Sequence, residues 1–330
     1  MAAGAAAGAG ARIVDAHVHM IDASNGLDYL WASPPASLSP PRRCPCAPPC
    51  LCNWTQPQYA AASAALKVTD IVFCEVDVNT TQWLREARWV TRMAATLKAG
   101  PRISAILAQP PPGLGTAPVA AIAAQLDALT SLPLVKGVRP DIKPPLSGYF
   151  HGAMRELGRR GLVVDINFGF GSPGALGNLT QLVSQAPGTS FVIEHLWGAP
   201  GIGSAASAAE LDGWTAGLAA LAKHSNIKCL QVGGVMAGWG HSAPYAVNRT
   251  VVKQRISSAI DAFGYGRTCF EANWFFNNWG PPHPDVDVYQ QWVAIVKEAL
   301  SEKGATEAER ALFFGGAAAK AYGLRTADEA

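Results

Sequence analysis

Short runs of β-branched and apolar residues alternate along the chain with longer, alanine-rich segments whose apolar positions recur at helical spacing. The short runs predict strands at 12–18, 70–77, 102–108, 134–139, 162–167, 190–195, 227–233 and 267–274. The segments between them predict helices at 57–66, 80–98, 117–129, 150–160, 174–185, 207–223, 247–263 and 286–301, with a last helix at 307–321. Strands that alternate with helices indicate βαβ units and parallel pairing.

Eight such units in 330 residues predict the α/β class and a single-domain (β/α)8 TIM barrel. The alternative is a doubly wound open sheet, which most often carries a glycine-rich phosphate turn after its first strand. Here the first strand leads into His17 and His19 instead. The barrel is therefore the favoured fold.

Changes in composition predict the domain organisation. Residues 1–11 are small and repetitive and predict a disordered tail, residues 12–324 the barrel, and residues 325–330 a C-terminal tail. A Pro/Cys-rich loop is predicted as an insert at about 33–52. Its four cysteines, in "CPCAPPCLC", could bind zinc, but structural zinc sites usually use C-x2–4-C pairs, so an irregular loop is favoured. The three other cysteines lie in apolar runs and predict small core residues.

Composition narrows the classes of function. Hydrophobic residues make up 49% and charged residues 15% of the chain, which predicts a large buried core. The net charge is +2 without a strong charge block, so neither nucleic acid nor an acidic surface is an expected partner. No apolar run is long enough for a membrane span, and the first residues do not resemble a secretory signal. We expect a cytoplasmic protein with reduced cysteines and a small-molecule substrate; homo-oligomerisation stays open.

Polar residues follow six of the eight predicted strands, at the end where barrel enzymes place their active sites. They are His17, His19, Glu75, Asp77, Arg139, Asp165, Asn167, Glu194, His195, Glu271 and Asn273. Buried charges must be paired or used. A single carboxylate here could simply pair with Arg139, but so many polar strand ends predict an active site.

The spacing of His17 and His19 adds a metal hypothesis, because residues two apart in a strand share a face. Zinc takes neutral imidazoles, and catalytic zinc uses three protein ligands and a water. With His195 as the third ligand, the sequence predicts a divalent metal site, with zinc the expected ion. The alternative is that the histidines hold the substrate directly. A nearby carboxylate would take the proton of the water. His241 and His283 lie in the loops after strands seven and eight, and we predict substrate contacts for them.

Several motifs resemble a known family. "DAHVHM", "HLWGAP", "RTCFEANW" and "FFGGAAAKAYGL" resemble the amidohydrolase-2 family of metal-dependent barrel hydrolases. "DYLW", "IVFCEVD", "WLREARWV", "LVKGVRPDI" and "GLVVDINF" resemble its sugar-lactone hydrolase branch, which includes L-fuconolactonase-like and L-rhamnonolactonase-like proteins. The resemblance covers roughly residues 12–324.

The resemblance implies a reaction centre formed by the strand-one histidines, the strand-six histidine and a strand-eight aspartate. Carried over, these are His17, His19, His195 and position 273, where this chain has Asn273 in "ANWFF". Asparagine cannot ionise, although it can form hydrogen bonds. Some members of the lactonase branch resemble this chain in having asparagine there. Glu75 matches a polar position of that branch, as does the arginine of "LVKGVRPDI".

The expected activity is the addition of water to the carbonyl of a sugar lactone or a related small lactone. The predicted catalytic residues are Asp165 as the favoured base, His195, Asn273 and Glu75, and the predicted substrate contacts are Arg139, Asn167, His241, Trp274 and His283. Three alternatives stay open. They are a decarboxylase of the same superfamily, a hydrolase of another ester or amide, and a non-catalytic ligand-binding barrel, which Asn273, Phe275 and the insert would favour.

Overall fold

The computed structural model describes residues 12–29, 53–97, 99–202, 205–235, 248–276 and 288–325. Its strands are β1 (Val14–Val18), β2 (Asp70–Cys74), β3 (Arg102–Ala108), β4 (Val135–Val138), β5 (Val163–Ile166), β6 (Phe191–Ile193), β7 (Ile227–Val232) and β8 (Thr268–Phe270). The helices are α1 (Gln56–Ser63), α2 (Trp83–Thr96), α3 (Val119–Thr130), α4 (Gly148–Arg159), α5 (Ala175–Gln185), α6 (Ala208–Leu221), α7 (Arg249–Phe263), α8 (Val288–Glu302), α9 (Glu307–Ala311) and α10 (Ala317–Tyr322). Short 3-10 helices lie at Thr80–Gln82, His195–Trp197 and Tyr265–Arg267.

The eight strands are parallel and hydrogen-bonded in chain order, β1 to β8. A hydrogen bond connects the segments that follow the first and last strands: the His19 amide donates to the Trp274 carbonyl at 2.6 Å. The buried Asp15 carboxylate also accepts from the Ala272 amide at 2.9 Å. The predicted (β/α)8 TIM barrel is confirmed. No helix among the described residues has the length and apolar character needed to cross a bilayer.

The predicted last helix at 307–321 contains a break in its regular winding. Between α9 and α10, Leu312–Gly316 forms a π-helical turn. Gly315 in this turn packs directly on β1, because a Cβ there would lie 2.2 Å from the Arg12 carbonyl oxygen. The close approach therefore requires glycine at this position and places α10 beneath the barrel.

Small and β-branched side chains fill the interior of the barrel. This cluster contains Val14, Ala16, Val72, Cys74, Ala105, Leu107, Val163, Val192, Cys229 and Cys269, with Ala317, Ala318 and Tyr322 of α10 packed against it. Cys74, Cys229 and Cys269 are fully buried, as predicted for core residues. Cys229 and Cys269 nevertheless form a disulfide, because adjacent strands β7 and β8 direct both side chains inward; we expected reduced thiols.

The start of β2 carries a buried carboxylate that supplies a test of stability. Asp70 accepts from the Arg12 Nε at 3.1 Å and from the Arg102 Nη2 at 2.9 Å. Burial raises the pKa of Asp70, but hydrogen bonds from Ser104, Arg12 and Thr69 outweigh it and lower the pKa below its ordinary value of 3.8. A lowered carboxyl pKa stabilises the fold above the unfolded-state pKa, and that stabilisation is lost as the pH falls through the folded-state value.

We therefore expect Asp70→Asn to lower the free energy of unfolding by about 1–3 kcal/mol at neutral pH. The difference from the wild type should shrink in acid, because the wild-type carboxyl then becomes protonated too. Urea unfolding followed by tryptophan fluorescence at both pH values measures this. Asp261→Asn, which removes only a surface pair with Lys303, should change little. Equal stability of Asp70→Asn and wild type at neutral pH would contradict the prediction.

Candidate active site

A layer of polar side chains lies directly above the apolar interior of the barrel. Alternation of side chains in strands explains five of its six residues, which come two positions after an inward apolar residue or a glycine. His17 is the exception, because Asp15 stands two positions before it and the register of β1 is irregular there. The layer contains His17, Arg139, Asp165, Glu194, Gln231 and Glu271. Contacts between distant strands show that these side chains point to the barrel axis: the Gln231 amide lies 3.1 Å from His17 Nδ1 and 3.4 Å from an Asp165 oxygen.

The Nε2 atoms of His17 and His19 face each other at 2.9 Å. The other ring nitrogen of each residue faces acceptors. His17 Nδ1 lies 3.1 Å from Gln231 Oε1, and His19 Nδ1 lies 2.9 Å from the Glu75 carbonyl oxygen. Carbonyl oxygens only accept, so both Nδ1 atoms carry the proton of a neutral ring. Two Nε2 lone pairs then point at each other.

Burial, above all, keeps these rings neutral. Together with neighbouring imidazoles and the Arg139 charge, it lowers the pKa of both His17 and His19 well below the ordinary value of 6.5. Neutral imidazoles whose outer nitrogens are held by carbonyl groups are the usual ligands of divalent metals. The facing lone pairs have no donor between them, and a cation would satisfy both. The pair therefore fits a divalent metal ion.

His195 and Glu271 form a second pair beside the first. His195 Nδ1 lies 2.8 Å from Glu271 Oε1, and the backbone amide of His195 donates to the same oxygen at 3.2 Å. The second oxygen, Oε2, lies 3.5 Å from His17 Nδ1. Burial lowers the pKa of His195, but the charge and hydrogen bond of Glu271 outweigh it and raise the pKa above 6.5. About 15% of the His195 side chain is exposed, so the ring is accessible from the mouth of the barrel.

The local backbone explains how His195 reaches this position. β6 ends at Ile193, and His195, Leu196 and Trp197 all have positive φ, at 54°, 50° and 51°. This left-handed turn brings the imidazole over the end of β7. Gly234 makes room for it, because a Cβ at that position would lie 2.2 Å from His195 Nδ1. A larger residue at 234 would displace the ring.

Arg139 is held by two carboxylates. Its Nε and Nη2 donate to the two oxygens of Glu194 at 2.8 and 2.9 Å, and its Nη1 donates to Glu75 at 3.0 Å. Burial alone would lower the pKa of Arg139, but Glu194 and Glu75 outweigh burial and raise it. The guanidinium charge is therefore balanced within the site, by a bidentate pair of hydrogen bonds to Glu194 and a single one to Glu75.

Asp165 lies in the floor of the barrel. Tyr322 of α10 reaches it from below and donates to its two oxygens at 3.0 and 3.1 Å. Gln231 donates to Tyr322 Oη at 2.8 Å, which connects this floor to His17. Asp165 is fully buried, and burial, with a contribution from Glu194, raises its pKa well above 3.8. Tyr322 thus supports Asp165, and with it the polar layer, from beneath.

A family model described as amidohydrolase matches residues 14–324. The chain belongs to this amidohydrolase family. The match includes β1 with its histidines and runs through α10. No curated protein sequence matches the chain.

Solved amidohydrolase structures share the fold at low identity. One is an amidohydrolase from Burkholderia multivorans with bound zinc, 19% identical over 96% of this chain and 100% of that one, with a TM-score of 0.71. A putative 2-pyrone-4,6-dicarboxylic acid hydrolase from Pseudomonas putida is 15% identical over 96% and 100%, with a TM-score of 0.60. The 5-carboxyvanillate decarboxylase from Sphingomonas paucimobilis is 12% identical over 96% and 100%, with a TM-score of 0.56.

The structure of this amidohydrolase brings most of the predicted site residues together. Residues from different strands converge at one end of the barrel: His17, His19, Glu75, Arg139, Asp165 and His195. Asn167, by contrast, is exposed beyond β5. The predicted contacts His241 and His283 lie outside the described residues, as do the tail at 1–11 and the insert at 33–52.

Two predicted residues near β8 occupy unexpected positions. Trp274 is only 1% exposed, and its ring packs edge-on against Trp54 and Tyr59 in the core. Asn273 is nearly buried with φ of 49°, and its Oδ1 has no hydrogen-bond partner among the described residues. The carboxylate that contacts the histidines from this strand end is Glu271, two residues earlier.

Three residues that contact this site are not among the predicted catalytic, substrate-binding or metal residues. Glu271 is one of the polar residues at the predicted strand ends, but the family resemblance implies position 273 as the strand-eight residue of the reaction centre. Gln231 is a polar residue in the apolar run "IKCLQVG", two positions after Cys229, and the alternation of the strand could have identified it. Tyr322 gave no comparable signal, because its contact depends on how α10 closes the barrel.

Proposed function

We propose that this amidohydrolase hydrolyses an uncharged small lactone, with sugar lactones as the substrate class. Water adds to the ring carbonyl, the bond from the carbonyl carbon to the ring oxygen breaks, and the ring opens to a hydroxy acid. The observation that carries the proposal is the Glu271–His195 pair at the barrel mouth, beside His17 and His19.

His195 is the base in this proposal. With Nδ1–H donated to Glu271, the Nε2 of the neutral ring has a lone pair free to accept a proton from the attacking water. The same proton then goes to the ring oxygen as it leaves. The Glu271 charge stabilises the imidazolium that forms in between. This assigns to His195 the role that we first predicted for Asp165, because Asp165 is fully buried and bound by Tyr322.

His17 and His19 would hold the divalent metal ion, for which their facing Nε2 atoms fit. When bound, such an ion supplies Lewis-acid polarisation of the lactone carbonyl. Zinc is the ion that we propose, since it takes neutral imidazole ligands. Asn273, whose amide oxygen lies buried at the end of β8, is proposed to orient the substrate or water.

The charge of the site supports an uncharged substrate. Arg139 is occupied by Glu194 and Glu75, and Glu271 adds a further carboxylate. A substrate carboxylate would need a cation that these groups have not already paired. This balance favours a lactone over the carboxylate substrates that a decarboxylase of the superfamily would take.

An assay of substrate classes tests the proposal. We expect acid release from sugar lactones, followed with a pH indicator, and loss of this activity after treatment with a chelator. A dicarboxylate lactone and an aromatic carboxylate should turn over far more slowly. Carbon dioxide release from the aromatic carboxylate without lactone hydrolysis would replace the proposal by a decarboxylase. Ligand-induced thermal shifts without any turnover would identify a binding protein instead.

A further inference from the structure

The thiol of Cys74 lies beside the two facing imidazoles. Cys74 ends β2, its side chain is fully buried, and it is a free cysteine. Its Sγ and one ring nitrogen each of His17 and His19 all lie within 4.8 Å of one another. The cluster thus joins a thiol to one nitrogen of each imidazole of the His17–His19 pair.

We propose that Cys74 is the third protein ligand of the metal ion held by His17 and His19. This inference rests on the proposed function, since it concerns the metal of the same site. The ion forms a bond to Sγ as a thiolate, and the thiol proton leaves to the solvent. Zinc binds both imidazole nitrogen and thiolate sulfur, and catalytic zinc keeps a fourth position for water beside three protein ligands.

The geometry favours Cys74 over His195 as the third ligand. Among the described residues, three sets of potential ligand atoms lie within 4.8 Å of one another, and His17 belongs to all three. Only the set with Cys74 contains both strand-one histidines. His195 instead gives its Nδ1 to Glu271, and its Nε2 lies 3.5 Å from Glu194. His195 therefore stays free to act as the base.

The charge of the site also favours Cys74 as the third ligand. A ligand set of two neutral imidazoles benefits from an anionic third member. Asn273 after β8 cannot ionise. Glu194 is engaged with Arg139 through both oxygens, and Glu271 holds His195 through Oε1. Cys74, within 4.8 Å of both imidazoles, can supply the negative charge as a thiolate.

Cobalt substitution tests the ligand directly. We expect the metal-free protein to bind one equivalent of Co²⁺ and to develop the near-ultraviolet absorption band of a cobalt–thiolate bond. Cys74→Ser should lose this band. Its metal affinity should fall by more than the ~10–100-fold typical of losing a residue that only orients a ligand.

The cysteines of the Pro/Cys-rich insert require a control. A variant with Cys44, Cys46, Cys50 and Cys52 all changed to serine should keep the band. The band in Cys74→Ser, or its loss in the insert variant alone, would overturn the proposal. If Cys74→Ser fails to fold, X-ray absorption of the zinc-loaded insert variant decides: one sulfur at about 2.3 Å is expected, and a nitrogen- and oxygen-only shell overturns it.

The two proposals fail in different ways. A cobalt–thiolate band in a protein that opens no lactone would support Cys74 as a metal ligand and overturn the proposed lactone hydrolysis. Chelator-resistant lactone hydrolysis in a protein that binds no Co²⁺ would support the proposed hydrolase activity and overturn the assignment of Cys74 as a metal ligand.

Discussion

The double variant His17→Ala, His19→Ala is expected to lose lactone hydrolysis by roughly 10³-fold and to lose its bound metal. Removing both imidazoles deletes the two Nε2 atoms that face each other at 2.9 Å. The variant also leaves Gln231 Oε1 and the Glu75 carbonyl without their Nδ1–H donors. The loss should appear in kcat more than in KM, because the lost groups act on the reacting carbonyl.

A matched control separates this effect from the loss of any buried imidazole. His151 in α4 is 5% exposed, and its ring nitrogens have no hydrogen-bond partner in the described part of the chain. His151→Ala should cost some stability and leave kcat unchanged. Elemental analysis and lactone assays on the three proteins measure both effects. Wild-type turnover in the double variant would remove the histidine pair from the mechanism.

The order of the strands could be predicted from the sequence because each element carries its own pattern. The inward position of His17 does not follow from this pattern, because its neighbour Ala16 also faces the interior and the register of β1 is irregular between Asp15 and Val18. The predicted partners Glu75 and Arg139 do meet across the barrel, at 3.0 Å. Opposite charges at strand ends that converge in a buried site have a strong physical reason to pair, because a buried charge without a partner is costly.

The predictions failed where the strands end. Alternation would place Glu75 and Asp77, which are two positions apart, on one face of an extended strand. However, β2 ends at Cys74 and Asp77 has φ of 50°, so Asp77 is exposed while Glu75 is buried. The same effect applies after β8, where Asn273 has positive φ and Trp274 packs in the core. Side chains two residues apart share a face only while the backbone stays extended.

Contacts between segments that are far apart in the chain could not be predicted from the sequence for another reason. Tyr322 lies 157 positions from Asp165, yet it donates to that carboxylate. Its place depends on the packing of Gly315 against the Arg12 carbonyl. Cys74 illustrates a further limit, since its apolar surroundings predict a core residue and its position beside His17 and His19 becomes visible only in the folded barrel.

Glu271→Gln is expected to lower kcat by about 10²–10⁴-fold with little change in KM. Glutamine has the size of glutamate, and its amide oxygen can still accept from His195 Nδ1. In the wild type this nitrogen lies 2.8 Å from the Glu271 carboxylate. The substitution therefore removes mainly the negative charge that stabilises His195 while it holds the proton of the water. Steady-state kinetics on a sugar lactone measure the split, and Glu271→Asp, which restores the charge, should recover part of kcat.

The control for Glu271→Gln is another fully buried carboxyl that does not contact a histidine. Glu86 in α2 accepts from the Val76 amide at 3.1 Å, and burial, with a contribution from Glu75, raises its pKa well above 4.5. Glu86→Gln should keep kcat, because no proton on the reaction path depends on it. A fall of equal size in both variants would mean that Glu271 acts through the fold. Unchanged kcat in Glu271→Gln would exclude the charge of Glu271 from catalysis and leave His195 to act without a partner.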